Sequence, residues 1–340
     1  MQRIFYKGKN DFYFETFEKR KCKNDEIEIE TRYLGLCSSD IQKFLKQTPN
    51  KNYINTNILG HEIMGVISNF GDNCEGFNIG DKVVVNPFDV ALEHAPCESF
   101  SLCNDIKIVG RDINGGYSEV VYVPKNCVYK LSDNIDDEDA IFIDDIAVAL
   151  HGINYIKEIK INNIENIAVI GDGPLGIICY RILKSMYSDK NIILFAKHRD
   201  KIKNLGINYL LFDEITKCDI KFDVILETVG GKQSDTLNTA IEVGNNNCLI
   251  LCYGVYAFNY LANINVRTLF YKQGTLKGIN SYCNIHNDFK KALDLLEKKD
   301  IQVNDLISYR IDFLSSVEYI KNYKNIKDNI KTVFEVKKWN

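Results

Sequence analysis

Residues 166–187, NIAVIGDGPLGIICYRILKSMY, place an apolar run, a glycine loop and a helical stretch in direct succession. The run NIAVI has the length and branching of a buried strand. Gly171, Gly173 and Gly176 then form G-x-G-x-x-G at the entry to a helix. In such a unit the first glycine makes the tight turn and the second lets backbone approach a pyrophosphate. The third lets the helix pack closely on the strand. Pro174 and Leu175 complete the loop, which is assigned to the phosphates of a dinucleotide held at the helix N-terminus.

Toward the C-terminus the alternation continues. NIILFA (191–196), FDVILETVG (222–230), NNNCLILCYG (245–254) and GTLKGI (274–279) read as strands with helical stretches between them. IKNLG (202–206) reads as a helix ending in Gly206. Strands alternating with helices predict an α/β domain with a doubly wound parallel sheet. Val229 and Gly254, at two strand ends, are assigned to the cofactor. NIILFA ends in Ala196, where NAD sites place a carboxylate, and continues into Lys197, His198 and Arg199. A missing carboxylate and three cations predict NADP(H) over NAD(H), since such donors match phosphate oxygens.

Toward the N-terminus the period is shorter. EIEIETRYLGLC (26–37), IMGVISNFG (63–71), GDKVVV (80–85) and GGYSEVVYVP (115–124) predict a β-rich module. DEDAIFIDDIAVALHGINYIKEI (137–159) has apolar residues at 3–4 spacing and reads as a helix. The tail from DFKKALDLLEKKDI (288–301) onward reads as helical, closing on strand-like TVFEV (332–336). The expected domains are 1–140 with 287–340, and 141–286.

At 340 residues the chain exceeds the usual limit of one core. A net charge of −4 gives no pull toward nucleic acid or an anionic membrane surface. No apolar run reaches the ~20 residues of a membrane span, and the N-terminus lacks the apolar core of a signal peptide. Eleven scattered cysteines read as reduced thiols, so the expected compartment is the cytoplasm.

Cys37, His61 and Glu62 are zinc-ligand types whose spacing is too long for a zinc finger. It suits a catalytic site, whose ligands come from separate elements. Taken singly, each could equally be a buried thiol or a surface pair.

GLCSSD (35–40), LGHEIMGVI (59–67), GDKVVV, GGYSEVVYVP, VALHG (148–152) and GDGPLG (171–176) occur in an order that resembles zinc-dependent medium-chain alcohol and polyol dehydrogenases. The resemblance implies a GroES-like β-rich catalytic domain completed by the C-terminus, an inserted Rossmann domain, and one catalytic zinc. It implies Cys37 and His61 as ligands, and Glu62 as a ligand or as the carboxylate just behind the ion. Ser39 becomes the proton relay and Asp40 the residue that orients His61. Asp144 stands where polyol-type members carry a glutamate, and Asp145 replaces the proline after it, so direct ligation by Asp144 or Glu62 stays open. His151 lines the nicotinamide pocket or the core. The family's structural zinc lobe uses four cysteines. Residues 86–110 offer only Cys97 and Cys103, with His94, so no structural zinc is expected.

Within the family the resemblance runs furthest toward NADP-dependent ribitol-5-phosphate dehydrogenases, partly through FDVILETVGGKQS (222–234). It implies reduction of D-ribulose 5-phosphate, with Lys43 and Arg111 as candidate phosphate contacts, and a homodimer or homotetramer. An unphosphorylated polyol, amino-inositol or simple alcohol is the alternative substrate. A non-catalytic NADPH-binding protein is the alternative outside enzymes.

Overall fold

The computed structural model describes residues 1–45, 54–90, 99–103, 105–159, 163–257, 259–283 and 287–336. The chain forms two compact units, Met1–Asp144 with Leu293–Asn340, and Asp145–Ala292. The divisions fall inside two helices, near the start of one (Ile143–Glu158) and midway along the other (Asp288–Glu297).

The first unit contains β1 (Gln2–Gly8), β2 (Asp11–Thr16), β3 (Glu26–Leu36), α1 (Ser38–Leu45), β4 (Ile63–Phe70), β5 (Lys82–Val85), β6 (Phe88–Asp89), β7 (Lys107–Ile108), β8 (Val120–Pro124) and β9 (Val128–Lys130). Its sheet runs β9-β5-β4-β3, with β8 also paired to β3, and continues from β3 into two C-terminal strands described below. Ile27, Ile29 and Leu34 on β3 are buried in the core, which explains why this long strand sits centrally. Phe44 of α1 packs against Phe12 and Tyr117, with ring centroids 4.6 and 5.8 Å away.

The second unit begins within α2 (Ile143–Glu158) and continues through β10 (Asn166–Ile170), α3 (Pro174–Met186), β11 (Asn191–Ala196), α4 (Arg199–Ile202), β12 (Tyr209–Leu211), β13 (Phe222–Glu227), α5 (Asp235–Val243), β14 (Gly244–Cys252), α6 (Val266–Tyr271), β15 (Thr275–Gly278) and the start of α7 (Asp288–Glu297). Its six strands are all parallel in the order β12-β11-β10-β13-β14-β15. β10, β11 and β13 are buried along almost their whole length, which is why they read as nearly unbroken apolar runs. The order reverses beside β10, the place where doubly wound sheets bind ligands, and the Gly171 loop leaves β10 there.

Chain direction then returns to the first unit through β16 (Ile307–Asp312), α8 (Ser316–Lys321) and β17 (Lys331–Glu335). β17 runs antiparallel to β3.

The α/β expectation, a β-rich module beside a doubly wound sheet, is met. Three local readings need correction. Asp139–Phe142 is a 3-10 turn and the α-helix starts only at Ile143. α4 stops at Ile202, and Gly206 lies in a turn at φ +64. The tail holds the strand β16, hidden because it is an exposed edge whose polar residues break the apolar alternation. Among the described residues no helix is long and apolar enough to cross a membrane.

Candidate active site

Strand register gathers the first cluster. β3 pairs with β4 through Leu34 and Ile63, which sets Glu62 beside Gly35, whose N–H donates to the Glu62 carbonyl at 3.0 Å. Cys37 follows the end of β3, and its carbonyl accepts from the N–H groups of Asp40 and Ile41 as α1 begins. His61 sits one residue after Gly60, whose φ of +94 disfavours any side chain. The Gly115–Tyr117 backbone zips onto this turn, Gly116 N–H donating to the Gly60 carbonyl at 2.9 Å and Tyr117 N–H to the Leu59 carbonyl at 3.0 Å. One ligand atom each from Cys37, His61 and Glu62 falls within 4.8 Å of the others.

The surroundings of this cluster are charged and dry. Asp40 is fully buried; its Oδ2 lies 3.6 Å from His61 Nδ1 and accepts from the Tyr117 hydroxyl at 2.8 Å. Burial opposes ionisation of Asp40, yet His61, Lys43 and Tyr117 hold its carboxyl well below the usual range. Burial likewise pulls His61 down, and Asp40 and Cys37 more than offset it, raising the imidazole well above its usual range. The environment is therefore built for positive charge at His61. On the far side, Lys331 donates to Glu62 Oε1 at 2.6 Å, both side chains being buried. A thiolate, an imidazole and a carboxylate, with a second carboxylate on the imidazole's Nδ1 side, fit a zinc ion.

The glycine loop has matching economy. A side chain on Gly171 would strike Thr228 Oγ1, and one on Gly176 would strike the Gly171 carbonyl. Among the described residues, and apart from its chain neighbours, no atom lies within 4 Å of where a Gly173 side chain would point. Internal packing thus requires the first and third glycines, while the second leaves room beside the α3 N-terminus, which has no side-chain cap. That space fits a pyrophosphate.

Residues 23–133 match the alcohol dehydrogenase GroES-like domain. The chain is 24% identical to the (R,R)-butanediol dehydrogenase of Bacillus subtilis (strain 168), over 92% of each. It is 25% identical to the sorbitol dehydrogenase of Halalkalibacterium halodurans, over 89% of this chain and 88% of that one. The structure of RspB from Escherichia coli CFT073, complexed with NADH, superposes with a TM-score of 0.85 at 21% identity over 99% of both chains. That of a zinc-binding dehydrogenase from Sinorhizobium meliloti 1021, bound to NADP, gives 0.84 at 16% identity over 98% and 99%. About a third of the chain thus matches the alcohol dehydrogenase GroES-like domain, and nearly its whole length is similar to named alcohol and polyol dehydrogenases.

The remaining assignments divide. Ser39 is half-buried in the first turn of α1, two residues from Cys37. Asp144 lies in the first turn of α2 and is not one of the three clustered donors; Asp145 follows it. Lys43 is ion-paired with Asp40 at 3.3 Å and Arg111 with Asp112 at 2.7 Å, so each candidate phosphate contact already faces a carboxylate. His151 lies 3.2 Å from Asp288 Oδ2, which helps raise its pKa to about 9 against the opposing effect of burial. His94 and Cys97 lie outside the described residues; Cys103 is half-buried with its thiol toward the Ser99 carbonyl.

Lys197, His198 and Arg199 are exposed just past β11, and Pro174 and Leu175 open α3. Val229 is exposed beyond β13, and Gly254 packs on Gly230. One correction concerns the β11 tip. A carboxylate does reach it: Asp172 Oδ2 accepts from the N–H groups of Lys197 at 3.0 Å and His198 at 2.6 Å, and lies 2.9 Å from His198 Nδ1. It comes from the glycine loop, 25 residues earlier, so nothing around Ala196 reveals it.

Sequence reasoning also missed Tyr117, Lys331 and Glu227. Glu227 is buried and accepts from Val229 N–H, Gly230 N–H and the Thr236 hydroxyl, fixing the loop after β13. A charged residue at the end of an apolar strand was the available signal for Glu227. Lys331, beside the otherwise apolar TVFEV strand, carried the same signal.

Proposed function

We propose that this protein is a dehydrogenase, a zinc-dependent, NADP(H)-linked polyol or ketose oxidoreductase, with reduction of D-ribulose 5-phosphate to D-ribitol 5-phosphate as the leading reaction. The observation that carries the metal chemistry is the convergence of Cys37, His61 and Glu62, backed by buried Asp40. Lys197, His198 and Arg199 support a 2′-phosphate, while one Asp172 oxygen is engaged by three donors of that same turn.

When bound, zinc supplies Lewis acidity toward a carbonyl or alkoxide oxygen, and the nicotinamide carries the hydride. The chain's own groups do the rest. Cys37, His61 and Glu62 hold the ion, with Asp144 as a further candidate. Asp40 on the Nδ1 side of His61 would orient the ring and leave Nε2 as its ligating atom. Lys331 donates to Glu62 Oε1 and holds that side chain in place. Ser39 passes a proton to the product oxygen in reduction and accepts it in oxidation. Gly171, Gly173, Gly176 and the α3 N-terminus hold the pyrophosphate.

The pairing of Lys43 with Asp40 and of Arg111 with Asp112 favours a second reading, an unphosphorylated polyol or simple alcohol. A screen of NADPH and NADH oxidation against ribulose 5-phosphate, xylulose 5-phosphate, fructose and simple ketones separates the two. The first reading expects turnover confined to a phosphorylated ketose with NADPH preferred. Turnover of unphosphorylated ketones alone selects the second, and turnover of none refutes both.

A further inference from the structure

We propose that Cys283, His151 and Asp288 form a second metal site, distinct from the catalytic one, that takes a single zinc-class divalent cation. The three come from separate elements: α2, the loop after β15, and the first residue of α7. All belong to the nucleotide-binding unit, and none is a candidate ligand of the catalytic ion.

The geometry is that of a coordination sphere. Asp288 Oδ2 lies 3.2 Å from His151 Nδ1 and 3.8 Å from Cys283 Sγ, and one ligand atom from each residue falls within 4.8 Å of the others. Tetrahedral zinc with bonds of ~2.0–2.3 Å spaces nitrogen from oxygen by ~3.3 Å and sulfur from oxygen by ~3.5 Å. Asn154 donates to the other carboxylate oxygen at 3.1 Å and orients the acid from behind, as for metal-ligating carboxylates, while Cys283 N–H donates to Oδ2 itself at 3.3 Å.

Burial and chemistry agree. Asp288 is fully buried and Cys283 is 1% exposed, whereas the His151 side chain keeps 14% of its surface, which leaves one side open to entry. Their neighbours in sequence, Ile279, Tyr282, Phe289 and Ala292, are apolar and buried. Thiolate and carboxylate around a dication sum to zero charge, which lowers the cost of burying both. A thiolate with an imidazole selects zinc-class ions over magnesium or calcium. The cluster also lies beyond the C-terminal end of β15, the edge of a parallel sheet at which ligands bind. Bound there, the ion ties Cys283 and the first residue of α7 to α2.

The test is cobalt(II) titration of the metal-stripped full chain, read by thiolate-to-cobalt absorption, with zinc content by elemental analysis. The wild type is expected to hold about two ions per chain, and Cys37→Ala and Cys283→Ser about one each, each variant losing a different part of the thiolate band. His151→Gln, checked for folding by circular dichroism, should repeat the Cys283→Ser loss. The proposal is overturned if Cys283→Ser and His151→Gln both keep the wild-type stoichiometry and absorption, which would make the cluster a hydrogen-bonded core triad. Loss in these two variants with none in Cys37→Ala would instead refute the catalytic-metal reading and leave this site standing.

Discussion

Lys331 Nζ lies 2.6 Å from Glu62 Oε1, across 269 residues of sequence, and neither side chain reaches water. The antiparallel pairing of β17 with β3 brings the two together. The ammonium also stands 5.4 Å from the centroid of the Phe142 ring. Removing one member of such a pair strands a buried charge, which costs more than the pair's net contribution. Lys331→Met should therefore lower stability by about 3 kcal/mol. Adding Glu62→Gln should restore at least half of the loss. Urea unfolding of the two single variants and the double variant measures the coupling; additive losses would show the pair is not acting as one.

Asp40 acts through His61. Asp40→Asn keeps the shape but removes the charge that faces the Nδ1 side of the imidazole, and should weaken metal binding about 10- to 100-fold. Tyr117→Phe removes only the hydroxyl that donates to Asp40 and should fall between Asp40→Asn and wild type. Competition with a chromophoric chelator reads both. Equal affinity in all three would show that the ring does not need its carboxylate.

Two glycines of one loop should fail differently. Gly173→Ala meets no atom of the described residues beyond its chain neighbours, so stability should change by no more than about 1 kcal/mol. The new methyl enters the proposed phosphate space, and affinity for NAD(P)H should drop about tenfold or more, which is ~1.4 kcal/mol. Gly171→Ala, at φ +131 against Thr228, should destabilise the chain itself by about 2 kcal/mol or more. Nucleotide fluorescence titration beside thermal unfolding distinguishes the two effects.

The parts legible in the sequence were those with a local signature. NIILFA became β11 residue for residue, and GDGPLG opened a helix after an apolar strand, because period and turn chemistry are set by neighbours in the chain. The Cys37–His61–Glu62 grouping needed family resemblance, since nothing local says that β3 and β4 pair in the register that joins them. Lys331 on Glu62, Tyr117 on Asp40, and Asp172 at the tip of β11 were hidden for the same reason. Each is a partner delivered by tertiary register from 25 to 269 residues away. β16 escaped because an exposed edge strand has little apolar alternation to reveal it.

Asp139 gives a pH signature. Burial, then the charges of Asp136, Glu138 and Asp305, push its carboxyl up to about 6, and its Oδ1 is buried without a hydrogen-bond partner among the described residues. With the folded value above the unfolded value of ~3.9, its contribution is fully favourable below ~3.9 and is lost as pH rises through about 6. At pH 7.5, Asp139→Asn should be more stable than wild type by on the order of 1 kcal/mol, allowing for solvent screening of a half-buried group. The advantage should shrink as pH is lowered to 5. Chemical denaturation at both pH values checks the sign, and an advantage that grows on acidification would contradict it.

The central claim is that hydride transfer depends on an ion held by Cys37. The most direct measurement is ketose reduction by Cys37→Ala beside wild type, with NAD(P)H binding to both followed by nucleotide fluorescence. The account predicts loss of turnover with nucleotide affinity unchanged within about twofold, because the glycine loop and the thiol belong to different units. Wild-type turnover by Cys37→Ala would contradict it.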